Sequence, residues 1–126
     1  MRLLLDTHIL IWMLSTQDRI GPSSRAALYD GSNDRVVSVA SIWEIAIKCA
    51  AGRLIFPLES IDTILEDIAA TTLPITSAHA LATAALPRHH NDPFDRMLVA
   101  QARTDGLFLV TVDPALSRYD VPRISD

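Results

Sequence analysis

The 126-residue sequence predicts an α/β fold, a three-layer sandwich in which helices cover both faces of a central, mainly parallel sheet. Short apolar segments alternate with helical patterns of roughly 9 to 12 residues, and parallel strands need crossover connections of about this length. The segment at residues 108–112 is apolar apart from Thr111, which is typical of a strand buried on both faces. The length suits one hydrophobic core, so we expect a single domain over residues 1–126.

Local signals define the elements of the first half of the chain. In order, they are a strand at residues 3–5, helices at 7–15 and 22–29, a strand at 35–38 and a helix at 40–51. The first strand is an apolar run that ends at Asp6. Pro22 suits the first turn of its helix, and Gly31 and Gly52 mark positions where helices end.

The second half continues the alternation. In order, its predicted elements are a helix at residues 60–70, a strand at 72–75, helices at 77–85 and 93–104, a strand at 108–112 and an edge strand at 121–124. Pro93 opens the longest of these helices and Gly106 closes it. Asp113 and Pro114 interrupt the strand before them, so the chain turns there.

Composition and charge restrict the class of protein. The sequence has 49% hydrophobic residues, a mean hydropathy of +0.24 and a net charge of −4. No apolar run reaches the roughly 18 residues that would span a membrane. The single cysteine, Cys49, excludes an internal disulfide and fits a reducing compartment, so we expect a cytoplasmic protein. Ten of the eleven basic residues are arginines, which suit phosphate contacts, so the acidic balance does not exclude a nucleic-acid substrate.

Four acidic residues follow or lie near the carboxyl ends of predicted strands. Asp6 and Asp113 directly follow strands, Glu44 lies in the helix after the second strand, and Asp95 lies in the first turn of the helix that Pro93 opens. The carboxyl ends of parallel strands share one edge of the sheet, where ligands bind in such folds. Like charges gathered there repel one another unless a cation is bound. The sequence therefore predicts a Mg²⁺ site, with Mn²⁺ as the alternative, suited to phosphodiester hydrolysis.

Taken singly, each acid also has an ordinary structural explanation. Asp6 can cap the helix that follows it, and Asp113 before a proline is a common turn residue. Glu44 can pair with Lys48 one helical turn later. Asp95 can occupy the third position of a capped helix. Only their joint placement at one end of the sheet favours a metal site.

Four segments carry a resemblance to a known family. They are residues 4–8 (LLDTH) with an aliphatic stretch up to Trp12, residues 41–48 (SIWEIAIK) with Gly52, residues 92–102 (DPFDRMLVAQA) and residues 111–113 (TVD). Together they resemble the motifs of PIN-domain ribonucleases, and specifically of VapC-type toxins from toxin–antitoxin pairs. The resemblance extends from residue 3 to about residue 120, and four motifs in this order are far more specific than any one of them.

The resemblance implies a function and assigns roles to the matching residues. It implies a Mg²⁺-dependent endoribonuclease in which Asp6, Glu44 and Asp95 bind the metal and Asp113 completes the site directly or through water. Thr7 and Thr111 would then be hydroxyls near the metal or the scissile phosphate. Asp92 is assigned to the helix cap rather than to the metal. Water attack on phosphorus would leave a 5′-phosphate and a 3′-hydroxyl.

The resemblance also implies partners. VapC-type toxins are usually homodimers inhibited by a small VapB-type antitoxin whose tail lies in a groove of the toxin. We find no DNA-binding motif in this sequence, so DNA would be contacted only through the antitoxin.

The remaining polar and aromatic residues receive weaker assignments. Lys48, Arg88 and Arg96 are candidates for phosphate contact, although Arg96 follows Asp95 and can instead brace its carboxylate. The pair at positions 89 and 90, both histidine, is interpreted as exposed loop, and His8 and His79 as local structure. Trp12 and Trp43 are expected in the core or in a dimer face rather than stacked on bases.

Two other functions are compatible with parts of the pattern. A phosphoacceptor or phosphatase-like α/β domain also binds Mg²⁺ beside an aspartate at a strand end, but the phosphatase needs Asp-x-Asp and position 8 is His8. A PIN fold can also serve as a non-catalytic interaction module. The first alternative conflicts with the sequence, whereas the second is separated from the enzyme only by an assay.

Overall fold

The five strands, numbered along the chain, form one sheet in the order 3-2-1-4-5, and every neighbouring pair is parallel. The structure is a computed structural model and describes residues 1–126. Its strands are β1 (Arg2–Leu5), β2 (Asp34–Ser38), β3 (Ala70–Leu73), β4 (Phe108–Val110) and β5 (Arg123–Ile124). All carboxyl ends therefore lie at one edge, as the alternating sequence pattern predicts.

Six α-helices and three short 3₁₀ segments connect the strands. The α-helices are α1 (Thr7–Ser15), α2 (Pro22–Leu28), α3 (Val39–Ala50), α4 (Ile61–Asp67), α5 (Ser77–Ala84) and α6 (Pro93–Asp105). The 3₁₀ segments are Gln17–Arg19, Leu58–Ser60 and Pro114–Arg118. None of the helices is both long and apolar enough to cross a membrane.

Two hydrophobic clusters, one on each face of the sheet, make the three layers. Side chains alternate across a strand, so Leu4 of β1 packs with α6 residues while Leu3 and Leu5 pack with residues of α1 to α4. All three leucines are fully buried, so β1 is covered on both faces, and its sequence is therefore a continuous apolar run. The predicted α/β sandwich with a parallel central sheet is confirmed.

Some boundaries differ from the sequence-based expectation for physical reasons. The helix expected up to residue 70 ends at Asp67, because Ala69 adopts a left-handed φ of 53° and Ala70 already pairs with Arg35 of β2. The strand expected up to residue 112 ends at Val110, and its partner β5 is a two-residue edge strand that starts after Pro122. Proline has no backbone N–H and therefore limits such a strand.

Candidate metal centre

Asp6 lies at the end of the central strand β1 and is 1% exposed. It caps α1, because its Oδ1 accepts a hydrogen bond of 2.9 Å from the backbone N–H of His8. Its backbone N–H donates to the Val110 carbonyl at 2.9 Å, which ties the residue to β4. The capping function expected of a lone aspartate is therefore present, and the carboxylate is at the same time held at the carboxyl edge of the sheet.

Thr111 connects Asp6 to Asp113. The Thr111 hydroxyl donates to Asp6 Oδ2 at 2.6 Å and accepts from the backbone N–H of Asp113 at 3.0 Å. Thr111 is completely buried, so its hydroxyl orients the two acids rather than facing solvent. Asp113 in turn caps the following 3₁₀ segment, where its Oδ1 accepts from the Ala115 N–H at 2.9 Å.

Asp95 reaches the same edge from α6. Its helix is capped by Asp92, whose Oδ1 accepts from the N–H groups of Phe94 at 2.8 Å and of Asp95 at 3.1 Å. These two bonds satisfy donors that every helix leaves free in its first turn. Asp92 therefore has the capping position expected of it, and the Asp95 carboxylate remains available at the centre.

The charge at Asp95 is unfavourable in the metal-free fold. Burial, followed by the negative charges of Asp6 and Asp92, raises the pKa of Asp95 to about 6, and a hydrogen bond with His90 opposes part of this rise. Repulsion between carboxylates at the same edge of the sheet disfavours their ionised forms. A bound cation would relieve it.

His90 is a member of the site that the sequence analysis missed. Its Nε2 lies 2.8 Å from Asp95 Oδ2 and 3.4 Å from Asp113 Oδ2. One ligand atom each from His90, Asp95 and Asp113 lies within 4.8 Å of the others, a grouping that can hold a metal ion. His89 is exposed as expected, but the interpretation of His90 as exposed loop is wrong, because its ring turns inward onto the two acids.

Asp6 and Glu44 lie outside that closest grouping. Glu44 is 6% exposed, and its Oε2 forms an ion pair of 3.0 Å with Lys48 Nζ. The Asp6 carboxylate, whose Oδ1 lies 3.7 Å from His8 Nδ1, raises the pKa of His8; the charge of Lys48 lowers that pKa and the charge of Glu44 raises it. Glu44 and Lys48 thus flank the Asp6 side of the site, while Asp95 and Asp113 meet at His90. The four acids share one end of the sheet but do not form a single tight cluster.

Two residues expected near the substrate have other hydrogen-bond partners. The Thr7 hydroxyl donates to Ser41 Oγ at 3.0 Å, and Thr7 is almost fully buried. Arg96 donates from its two terminal nitrogens to backbone carbonyls, the closest being those of Thr83 and Pro87, each at 2.9 Å. Arg96 therefore holds the chain before α6, and it neither braces Asp95 nor presents a free fork to phosphate.

A cavity of about 320 Å³ opens beside the site. Its lining includes Trp43, Phe94, Arg88 and Asn91, and the rings of Trp43 and Phe94 meet edge to face with centroids 5.3 Å apart. Trp43 is 57% exposed, so it lies outside the core, and the dimer face stays its predicted place. Trp12 is half-buried at the margin of the core, where the Arg19 guanidinium lies 5.0 Å from its ring centroid.

Comparison with known proteins identifies relatives. The family model of the PIN domain matches residues 3–122. Ribonuclease VapC22 from Mycobacterium tuberculosis is 30% identical over an alignment of 124 residues, and the match covers 95% of this chain and 93% of the relative. The fold is also similar to that in two solved structures. VapBC2 from Rickettsia felis bound to a promoter DNA fragment gives a TM-score of 0.72 at 13% identity, and DNA-bound VapBC from Salmonella typhimurium gives 0.71 at 19% identity. Each comparison covers 99% of this chain and 98% of the other.

Proposed function

Because the chain belongs to the PIN-domain family, we propose that it is a metal-dependent ribonuclease and the toxin of a VapBC-type toxin–antitoxin pair, with one PIN domain over residues 1–126. The observation that carries the proposal is the set of buried or half-buried acids at the carboxyl edge of the sheet. Burial and mutual repulsion raise the pKa of Asp95 to about 6, so these acids are costly to keep together without a cation.

The donor set fits a divalent ion of the Mg²⁺ or Mn²⁺ type. We assign Asp6, Asp95 and Asp113 to its binding, with Glu44 completing the charge on the Asp6 side. Carboxylate oxygens are the donors that such ions prefer. When bound, the ion supplies a Lewis acid that makes water more acidic and neutralises charge on the scissile phosphate.

The chain's own residues position this chemistry. Thr111 holds Asp6 and the backbone of Asp113 in a fixed relation, since it bonds to both. Lys48, paired with Glu44, brings a positive charge to the edge of the site where an RNA phosphate would lie. Arg88, on the rim of the neighbouring cavity, is the second basic residue we assign to phosphate contact. Water attack on phosphorus leaves a 5′-phosphate and a 3′-hydroxyl.

The test is cleavage of structured and unstructured RNA by the purified chain with Mg²⁺ or Mn²⁺. Asp6→Asn keeps a capping side chain but removes the charge, so we expect the cleavage rate to fall by about a hundredfold or more. Asp62→Asn, an exposed acid in the first turn of α4, is the matched control and should cleave as the wild type does. Chelation by EDTA should abolish cleavage, and the new 3′ ends should react with periodate.

Equal cleavage rates for the wild type and Asp6→Asn would contradict a role of the proposed metal centre in cleavage. A 2′,3′-cyclic phosphate at the new ends would show that the RNA hydroxyl attacks instead of water. Absence of cleavage on every RNA would favour the non-catalytic interaction module.

The proposed partners are a VapB-type antitoxin and a second copy of the chain, with DNA contacted through the antitoxin. The exposed apolar side chains support a protein partner. Trp43 and Ile47 lie one turn apart on α3, and Leu81 on α5 is 74% exposed. Large exposed apolar side chains that lie next to one another, as those of Trp43 and Ile47 do, are typical of protein–protein contact sites.

A further inference from the structure

The ring of His90 is placed where a metal ligand would lie. Its Nε2 is 2.8 Å from Asp95 Oδ2 and 3.4 Å from Asp113 Oδ2. Adjacent ligands of an octahedral ion with bonds of about 2.1 Å are separated by roughly 3 Å. The two separations lie on either side of this value, and all three ligand atoms are within 4.8 Å of one another, so one ion can contact all three after adjustment of the side chains.

The backbone of His90 is anchored independently of the acids. Its N–H donates to Tyr119 Oη at 3.0 Å, and Tyr119 is buried. The His90 carbonyl accepts from Arg96 and from the Tyr119 hydroxyl, each at 3.4 Å. Arg96 also donates to the Pro87 carbonyl at 2.9 Å, which fixes the start of the same loop. The imidazole is therefore presented by a framework of buried and half-buried hydrogen bonds, since residues of α6 and of the segment after β4 hold the loop.

We propose that His90 is a ligand of the catalytic ion through Nε2, which makes the centre a mixed nitrogen–oxygen site that prefers Mn²⁺ to Mg²⁺. The inference rests on the metal dependence proposed above and adds one ligand and a selectivity. Imidazole nitrogen binds first-row transition ions well, whereas Mg²⁺ prefers oxygen donors. Three carboxylates alone would not create this preference.

Binding requires a change of tautomer in the ring. In this structure Nδ1 accepts from the Asn91 N–H at 3.2 Å, so Nε2 carries the ring proton and donates it to Asp95. An ion held by Nε2 would require the ring proton on Nδ1, so the hydrogen bond from the Asn91 N–H would be lost. That bond is longer than the His90–Asp95 bond, so it is the weaker of the two.

Pulsed electron paramagnetic resonance on the Mn²⁺-loaded full chain tests the ligand directly. A nitrogen bound to Mn²⁺ produces ¹⁴N modulation of the electron spin echo, and we expect it in the wild type. His90→Ala and His90→Gln should lose the modulation, the second while retaining a side chain that can hydrogen-bond to Asp95. His89→Ala and His8→Ala should keep it, and they are matched controls because His89 is the exposed neighbour and the His8 ring lies near Asp6.

Calorimetric titrations with each metal ion test the proposed preference for Mn²⁺ over Mg²⁺. In His90→Gln the Kd for Mn²⁺ should rise by about tenfold or more, whereas the Kd for Mg²⁺ should change by less than about threefold. A Mn²⁺-loaded wild type without nitrogen modulation, or modulation that persists in both His90 variants, would overturn the proposal. Failure of the wild type to bind either ion would instead overturn the metal-dependent function itself, so the two failures are distinguishable.

Discussion

Replacing Asp95 by asparagine should stabilise the metal-free protein, because the wild-type carboxylate is ionised at neutral pH in an environment that disfavours its charge. The pKa of Asp95 rises from 3.8 to about 6 in the fold, chiefly through burial and then through the charges of Asp6 and Asp92. A rise of about two units corresponds to about 3 kcal/mol. Loss of a negative charge from the first turn of α6 offsets up to about 1 kcal/mol, which leaves a net gain of about 2 kcal/mol at pH 8.

The sign of the pH dependence follows from the direction of the shift. Because the pKa of Asp95 is higher in the folded than in the unfolded chain, its protonated form favours folding. This contribution to the free energy of unfolding is complete below pH 3.8 and is lost as the pH rises through about 6. The advantage of Asp95→Asn should therefore be close to zero near pH 4 and complete above pH 7. For a chain of this size the gain at pH 8 corresponds to a Tm higher by roughly 6–10 °C.

Urea denaturation in EDTA at several pH values measures this difference, and excess Mn²⁺ should reverse it. An ion present at a hundred times its Kd stabilises the wild type by about 2.7 kcal/mol but stabilises the variant little or not at all. Asp62→Asn controls for loss of a helix N-terminal charge at an exposed site, and its effect should be small at every pH. If Asp95→Asn is no more stable than the wild type in EDTA at pH 8, or if its advantage is equally large at pH 4, the electrostatic argument fails.

Three further perturbations address other parts of the structure. Thr111→Val removes the hydroxyl that forms hydrogen bonds with Asp6 and with the backbone of Asp113. We expect the free energy of unfolding in urea to fall by about 1–3 kcal/mol and Mn²⁺ to bind more weakly. An unchanged Kd for Mn²⁺ would exclude an orienting role of this hydroxyl. Arg96→Lys keeps the charge but cannot reach several carbonyls at once, so stability should fall by about 1–3 kcal/mol, whereas an unaltered denaturation curve would contradict the bracing role. Trp43→Glu introduces charge into the exposed apolar surface and should convert a dimer to a monomer in sedimentation velocity, while a monomeric wild type would refute the proposed dimer.

Periodicity in the sequence predicts elements that are stabilised by burial, and it performs well here for that reason. The helix at Thr7–Ser15 coincides with its prediction, and β1 and β2 differ by one residue at their starts. The end of α4 was not predictable in the same way. Residues 68–70 continue an apolar pattern, but pairing of Ala70 with Arg35 in β2 draws the chain out of the helix. Sequence-distant pairing of this kind leaves no local signal.

The residues of the site likewise fall into those that the sequence could place and those that depend on contacts between distant parts of the chain. Acids that follow strands can be placed at the sheet edge from topology alone, as for Asp6 and Asp113. The inward turn of His90 depends on the hydrogen bond from its backbone N–H to Tyr119, which is 29 positions away, and places the ring 3.4 Å from Asp113. The available signal was a histidine in the loop directly before a capped helix that carries an acid, and this spacing does not by itself distinguish an inward from an outward ring. The role of Arg96 was missed similarly, since its carbonyl partners are defined only by the folded loop.

The topology also determines when the proposed metal centre can form during synthesis of the chain. β1 is made first yet lies at the middle of the sheet, and its neighbour on one side, β4, pairs Leu3 with Phe108. About 5 to 20 s of translation separate these two strands at ordinary elongation rates. Until β4 has emerged from the ribosome, Asp6 has neither the Thr111 hydroxyl nor Asp113 beside it. Because the proposed metal centre needs residues next to both strands, it assembles only on a nascent chain in which residue 113 has already left the ribosome.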